Sequence, residues 1–192
     1  LQISENVMVT GGPMDVAACA LGAGVIEEGE CCSIIGTAAL HEMVISEPCK
    51  DTIFAGMTVF HAVQDRWLRL MASLAGTPNL EWLLGILGER LTIPARENNA
   101  TVYEYAEQLV NKSPIGANGV IYHPYLLAGG ERAPFTDPNA RADFIGISVK
   151  NTIEDLVRAC YEGVAYAMCD CYNHMPIPVK KITLCGGGTS SS

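Results

Sequence analysis

An α/β or α+β domain, a mixed sheet with flanking helices, is the fold class that this sequence predicts. Three observations carry that expectation. Short apolar runs of strand length alternate with longer stretches whose apolar residues recur at helical spacing. Glycine-rich turns stand at the ends of three of the strand-like runs. Hydrophobic residues form 49% and charged residues 17% of the chain, enough apolar material to bury a core and too much for a disordered segment. The length, 192 residues, suits one domain, and no repeat, low-complexity tract or linker divides it, so residues 1–192 read as a single domain.

The elements follow in order. Val7 to Thr10 reads as a short strand and Gly11-Gly12-Pro13 as a turn, with Pro13 suited to a helix's first position. Met14 to Leu21 continues as a helix of small residues that packs closely, and Gly22-Ala23-Gly24 ends it. Glu30 to Ile35 is a strand running into Gly36-Thr37, with Ala38 to Ile45 as its hairpin partner. Extended segments follow at Thr52 to His61 and Arg66 to Met71. Thr77-Pro78-Asn79 opens a helix with Leu80, Trp82, Leu83, Ile86 and Leu87 as its apolar face, and Trp67 and Trp82 are expected in the core. Thr101 to Val110 is another helix, with Tyr103, Ala106 and Val110 on one side.

Gly119 to Leu127 reads as a buried strand and Phe144 to Val149 as a second one. The polar loop between them, Ala128 to Ala142, contains Arg132, Asp137 and Arg141, which are expected to brace it through Asp–Arg pairs and an Asp-Pro turn. Thr152 caps a long helix, with Asp155 as its reciprocal partner and Leu156, Ala159, Cys160, Gly163 and Ala167 as the inner stripe. Lys181 to Cys185 is the last strand, and Gly186-Gly187-Gly188 leads out of it toward a further helix. The chain starts in mid-strand and stops where that helix would begin, so both ends are expected to be cuts in a longer polypeptide.

Charge and cysteine usage narrow the function classes. Twelve basic against 21 acidic side chains give a net charge of −9, which disfavours a reader of nucleic-acid phosphates. An anionic substrate then needs local help from backbone amides or a metal ion. No apolar run is long enough to span a bilayer, and the first residues do not resemble a signal peptide. The eight cysteines lack zinc-knuckle spacing and read as reduced, mostly buried thiols, which makes the expected compartment cytoplasmic.

Three glycine turns mark candidate chemistry: Gly11-Gly12-Pro13-Met14-Asp15, Gly36-Thr37 and Gly186-Gly187-Gly188-Thr189-Ser190-Ser191. Glycine lets a backbone approach a ligand and turn its N–H groups outward, and a helix N-terminus adds partial positive charge. The local pattern leaves Asp15 open between two roles. It complements a helix dipole, or it serves as a general base that takes a proton from a substrate hydroxyl.

Taken together, these segments resemble the C-terminal domain of the FGGY carbohydrate kinases. GGPMDVAACALGAG looks like the family's catalytic Asp segment, and Gly36-Thr37 like its second phosphate loop. ERAPFTDPNARADFIGISVKNTIEDLVRACYEGVAYAMCD resembles its second signature, and CGGGTSSS its adenosine loop. ERAPFTDP and NLEW look most like xylulokinase-type and L-xylulokinase-type members.

The resemblance implies a ribonuclease-H-like, actin/hexokinase-type ATPase domain that pairs with an N-terminal domain across a cleft. The Asp-x-Gly-Thr loop of that partner does not occur here. It implies ATP and Mg2+ as cofactors and a small sugar as substrate. Asp15 falls on the catalytic base near magnesium, with water as a possible intermediary. Gly36 and Thr37 fall on the loop that holds the terminal phosphates, Gly187, Gly188 and Ser191 on the adenosine pocket, and Thr77 near the nucleotide. Ala38 departs from the Ser or Thr that many members carry after the Gly-Thr pair, and Cys160 from another small or aliphatic residue. The implied activity is ATP-dependent phosphorylation of a pentulose or a related ketose or polyol, absent from this piece alone. The rival reading is a non-catalytic sugar- or nucleotide-binding module. An exposed apolar face toward the missing domain would favour self-association into a homo-oligomer.

Overall fold

The computed structural model describes Met8, residues 11–50 and residues 55–190. The strand expected at Val7 to Thr10 lies outside these residues apart from Met8, as does the segment 51–54. The main sheet has five strands in the order β3-β4-β2-β1-β7: β1 (Glu30–Ile35), β2 (Ala39–Ile45), β3 (Met57–Phe60), β4 (Trp67–Ser73) and β7 (Lys181–Cys185). β1 and β2 form an antiparallel hairpin with Ser33 opposite His41, and β4 and β3 extend it antiparallel. β7 pairs parallel to β1, so the sheet is mixed, as the pattern predicted.

Period-two alternation splits the sheet's side chains between two faces. Cys32, Val44, Leu68 and Leu70 pack against Ala17 and Ala20 of α1 (Asp15–Gly22). Their neighbours Cys31, Met43, Ile45 and Met71 pack against Cys171 and Tyr172 at the end of α5 (Ile153–Asn173) and Met175 just after it. Central β2 is covered on both faces, and all of it except Leu40 is buried, His41 and Glu42 included. α1 has Met14 as its N-cap and begins at Asp15, two residues after the proline expected to lead it.

A second layer gathers around the first half of α5. There α2 (Pro78–Leu87), α3 (Glu89–Glu97) and α4 (Val102–Val110) bury Leu83, Leu84, Leu91, Ala106 and Leu109 against Val157, Ala159 and Cys160. Thr101 and Glu104 cap α4 reciprocally. The Thr101 hydroxyl accepts from the Glu104 N–H at 3.2 Å, and the Glu104 carboxylate accepts from the Thr101 N–H at 2.7 Å. Asp155 likewise accepts from the Thr152 N–H at 3.0 Å at the start of α5.

Several expectations change. Trp82 and Ile86 are exposed on α2, and Leu84 takes the buried position instead. Tyr103 is exposed, and the inner side of α4 is Ala106 with Leu109. The expected strand from Gly119 to Leu127 shrinks to β5 (Ile121–His123), because Pro124 follows it and has no N–H for a ladder. β5 pairs with β6 (Asp143–Ile145) in a separate ribbon, where Ile121 and Ile145 face each other and are both exposed. β6 ends at Ile145, before the positive-φ Gly146, rather than running to Val149.

α3 was not read from the sequence, because Pro94 lies inside it. The loop before β6 is braced differently from the expected Asp–Arg pairs. Arg132 Nε donates to the Ala72 carbonyl, Arg141 donates to the Pro138 and Ala140 carbonyls, and Asp137 accepts from the Asn139 N–H. The glycines after β7 lead into a short 3-10 turn, Gly187–Ser190. All eight cysteines are free thiols, and burial pushes those of Cys31, Cys32, Cys160 and Cys171 up to about 12.

Candidate active site

The loops that follow β1, β4 and β7 meet at one place. After β1, Gly36-Thr37-Ala38 turns the chain into β2, and the Gly36 N–H donates to the Ala38 carbonyl at 3.1 Å. The loop after β4 is laced onto this turn. The Gly76 N–H donates to the Thr37 carbonyl at 3.1 Å, and the Thr77 N–H to the Gly36 carbonyl at 2.9 Å. The Thr77 hydroxyl donates to the same Gly36 carbonyl at 3.2 Å. Thr77 is the N-cap residue of α2, as expected, but its hydroxyl ties two loops together instead of capping the helix. Gly76 is required for this contact, because a Cβ there would collide with the Gly36 carbonyl.

The third loop closes over Ile35, the last residue of β1. Gly186 has φ +93°, and a side chain on it would strike the Ile35 backbone. Gly188 approaches the Ile35 side chain equally closely. The Thr189 hydroxyl and N–H both donate to the Gly186 carbonyl, at 2.7 and 3.2 Å.

Between these loops and α4 and α5 lies a cavity of about 960 Å³. Five residues singled out from the sequence line it: Gly36, Thr37, Thr77, Gly187 and Gly188. Ser191 lies outside the described residues. Asp15 is the first residue of α1, exposed, with Oδ1 accepting from the Val16 N–H at 2.8 Å. It is not part of the cavity wall, and its helix covers the other face of the sheet.

Sequence reasoning missed the cavity floor. His41 on β2 and Glu131 in the polar loop both line it, and both are buried. His41 Nδ1 is 2.9 Å from the Ser33 hydroxyl, which is 2.6 Å from the Tyr172 hydroxyl. Burial pulls the His41 imidazole down to about 4, so it is neutral at physiological pH. Glu131 accepts from the N–H groups of Leu74 and Arg132 at 3.2 and 2.8 Å, although burial raises its carboxyl above the usual range. A polar pair at matching positions of β1 and β2, Ser33 opposite His41, was the available signal in the sequence.

The family model for the FGGY family of carbohydrate kinases, C-terminal domain, matches residues 31–192. The chain belongs to the FGGY family. A xylulose kinase from Staphylococcus epidermidis is 33% identical, over 100% of this chain and 37% of that protein. An erythritol kinase from Brucella abortus is 30% identical over 94% of this chain and 35% of that protein. The crystal structure of xylulose kinase from Bifidobacterium adolescentis superposes with a TM-score of 0.78 at 28% identity, over 93% of this chain and 33% of that one. This FGGY chain thus spans about a third of the length of the curated relatives it matches. Its mixed sheet with flanking helices is the actin/hexokinase-like fold of the sugar kinases. The family match begins after the Asp15 segment, whereas the alignment with the S. epidermidis kinase covers the whole chain.

The residues present suit a magnesium ion that travels with a nucleotide. Among the described residues no group of three or more His, Cys, Asp and Glu side chains could hold a metal. Mg2+ keeps several waters and takes one or two carboxylates plus substrate phosphates, so a single exposed carboxylate such as Asp15 fits that pattern. No helix among the described residues is long and apolar enough to cross a membrane.

Proposed function

We propose that this chain is the nucleotide-binding half of an ATP-dependent kinase that phosphorylates a hydroxyl of a small sugar, a pentulose or a related ketose or polyol. The observation that carries the reading is the convergence of three glycine loops on one cavity, in a chain of the FGGY family. The substrate class is supported by relatives named xylulose kinase and erythritol kinase.

The chain's own residues suggest the division of labour. Gly36-Thr37 and Thr77, laced together, form a stiff shelf in the cavity wall, and Gly187-Gly188 line the cavity as well. The Gly36, Gly76 and Thr77 amides are already engaged within the shelf, so they fix its shape before a ligand arrives. A terminal phosphate on that shelf loses little free energy to loop ordering. Neutral His41 on the floor adds no charge.

Asp15, exposed on α1, is the base that orients the sugar hydroxyl and takes its proton as the phosphoryl group transfers. Asp15 would help to hold a bound magnesium ion, which would neutralise phosphate charge. The N-terminal domain completes the cleft and excludes water. Asp15→Asn in the intact two-domain protein is expected to lower kcat by about 10²–10⁴-fold while leaving ATP binding near wild type. Sugar phosphorylation at the wild-type rate would remove Asp15 from the role of base. Sugar-dependent ADP release separates this reading from that of a non-catalytic binding module.

A further inference from the structure

Glu131, in the polar loop before β6, is fixed in both backbone and side chain. Its N–H donates to the Asp137 carbonyl at 2.9 Å, and the Asp137 N–H donates back to the Glu131 carbonyl at 3.0 Å. Gly130 before it has φ +74°, and a Cβ there would collide with that Asp137 carbonyl. Oε1 of the side chain accepts from the N–H groups of Leu74, Arg132 and Ala133, at 3.2, 2.8 and 3.4 Å. Leu74 belongs to the loop whose Gly76 and Thr77 are laced onto Gly36-Thr37, so the carboxyl is anchored to the shelf.

All of this bonding goes to one oxygen. Oε2 accepts from no group among the described residues and is not sealed in, so it opens on the cavity that Glu131 lines. The bracing does not need Oε2. A glutamine Oε1 would accept from the same three amides and leave no charge on a residue that is 3% exposed. No side-chain cation of the cavity wall answers the charge. Arg132 turns its Nε to the Ala72 carbonyl at 3.2 Å, and the wall's other acidic groups, Glu81, Glu104 and Glu107, add charge of the same sign. A carboxylate oxygen held beside a phosphate shelf repels a triphosphate unless a cation stands between them.

We propose that Glu131 is a ligand for the divalent cation that arrives with the nucleotide, with Oε2 as the ligand atom. This rests on the reading of the shelf as the seat of the terminal phosphates. Mg2+ takes one or two carboxylates together with substrate phosphates, so the role leaves room for Asp15.

The test uses the intact two-domain protein and Glu131→Gln, which keeps the anchored oxygen and changes only the free one. ATP is titrated by calorimetry in excess Mg2+ and again in EDTA. In the wild type Mg2+ is expected to tighten ATP binding, and Glu131→Gln is expected to remove about tenfold to a hundredfold of that advantage. The variant is expected to bind metal-free ATP as well as the wild type or better, because a negative charge has gone. Equal weakening with and without Mg2+ would make Glu131 a brace and overturn the proposal, as would a wild type indifferent to Mg2+. The wild type gives a second answer that does not depend on the variant folding. With Mn2+-ADP bound, the backbone amide signals of Leu74, Arg132 and Ala133 are expected to broaden well before those of Leu91 and Ala95 in α3, and uniform broadening overturns the assignment. A wild type that binds no nucleotide under either condition refutes the proposed function and this inference with it. Nucleotide binding with a Mg2+ advantage that Glu131→Gln leaves intact refutes the inference alone.

Discussion

Glu42, buried in β2, makes the stability of the sheet depend on pH. Its carboxyl is raised from 4.5 to about 7 by burial and by Asp15. The folded chain therefore keeps this proton over a pH range in which the unfolded chain has released it. Stability from this group is fully present below 4.5, falls as pH rises toward about 7, and is level above that. His41 acts with the opposite slope. Burial lowers it from 6.5 to about 4, so its contribution is present above 6.5 and is lost as pH falls toward 4. The whole-protein curve mixes the two, but the difference between wild type and Glu42→Gln isolates the carboxyl. The Gln variant is expected to gain on wild type in urea midpoint as pH rises from 4.5 to about 7, and then to hold its lead. A constant difference across that range would mean that Glu42 titrates normally in the folded chain. None of this was legible beforehand. A single acidic residue in a hairpin strand reads as solvent-facing until register shows which helix lies above it.

Among the elements, those that follow one period along their length were legible. β1, β7 and α5 lie at the residues their patterns predicted, because each pairs or packs through a single regular stripe. Elements decided by tertiary contact were not. Leu91 and Ala95 hold α3 in the helical core despite Pro94, and the run from Gly119 to Leu127 becomes a ribbon rather than a sheet strand. The site loops belong with the second group. Glycine turns were visible in the sequence, but the lacing of Gly76 and Thr77 onto Gly36 joins residues about forty positions apart.

That lacing predicts a contrast between two glycine-to-alanine changes. A Cβ at Gly76 meets the Gly36 carbonyl, backbone against backbone, and neither loop can yield without breaking the other's hydrogen bonds. Gly76→Ala is expected to cost about 1–3 kcal/mol, read as a lower denaturation midpoint, and to weaken nucleotide binding. At Gly187 nothing lies within 4 Å of an added Cβ, although the residue lines the cavity. Gly187→Ala is therefore expected to leave the midpoint unchanged and to act only on nucleotide titrations. Equal midpoints for the two variants would mean that the shelf is not rigid.

At the scale of the whole molecule, the division of the site across the sheet sets what this chain can do alone. The cavity opens on the α5 face and Asp15 rides on the α1 face, so the glycine loops and Asp15 do not share a wall among the described residues. The chain carries a net charge of −9, and Glu81, Glu104, Glu107 and Glu131 line the cavity, so attraction for a triphosphate rests on fixed dipoles and on the accompanying cation. On the proposed reading a partner domain has two tasks: to present the sugar hydroxyl to Asp15, and to shut water out of the region between that carboxylate and the glycine loops. The 192-residue chain by itself is then expected to bind Mg-ATP weakly, with no sugar-dependent ADP release. Calorimetry and a coupled ADP assay on the same preparation check both halves of this expectation. Turnover by the isolated chain would require base, shelf and sugar site to lie within these residues, which contradicts a site shared between two domains. Added salt should change nucleotide binding only modestly, because no Lys or Arg side chain among the described residues lines the cavity.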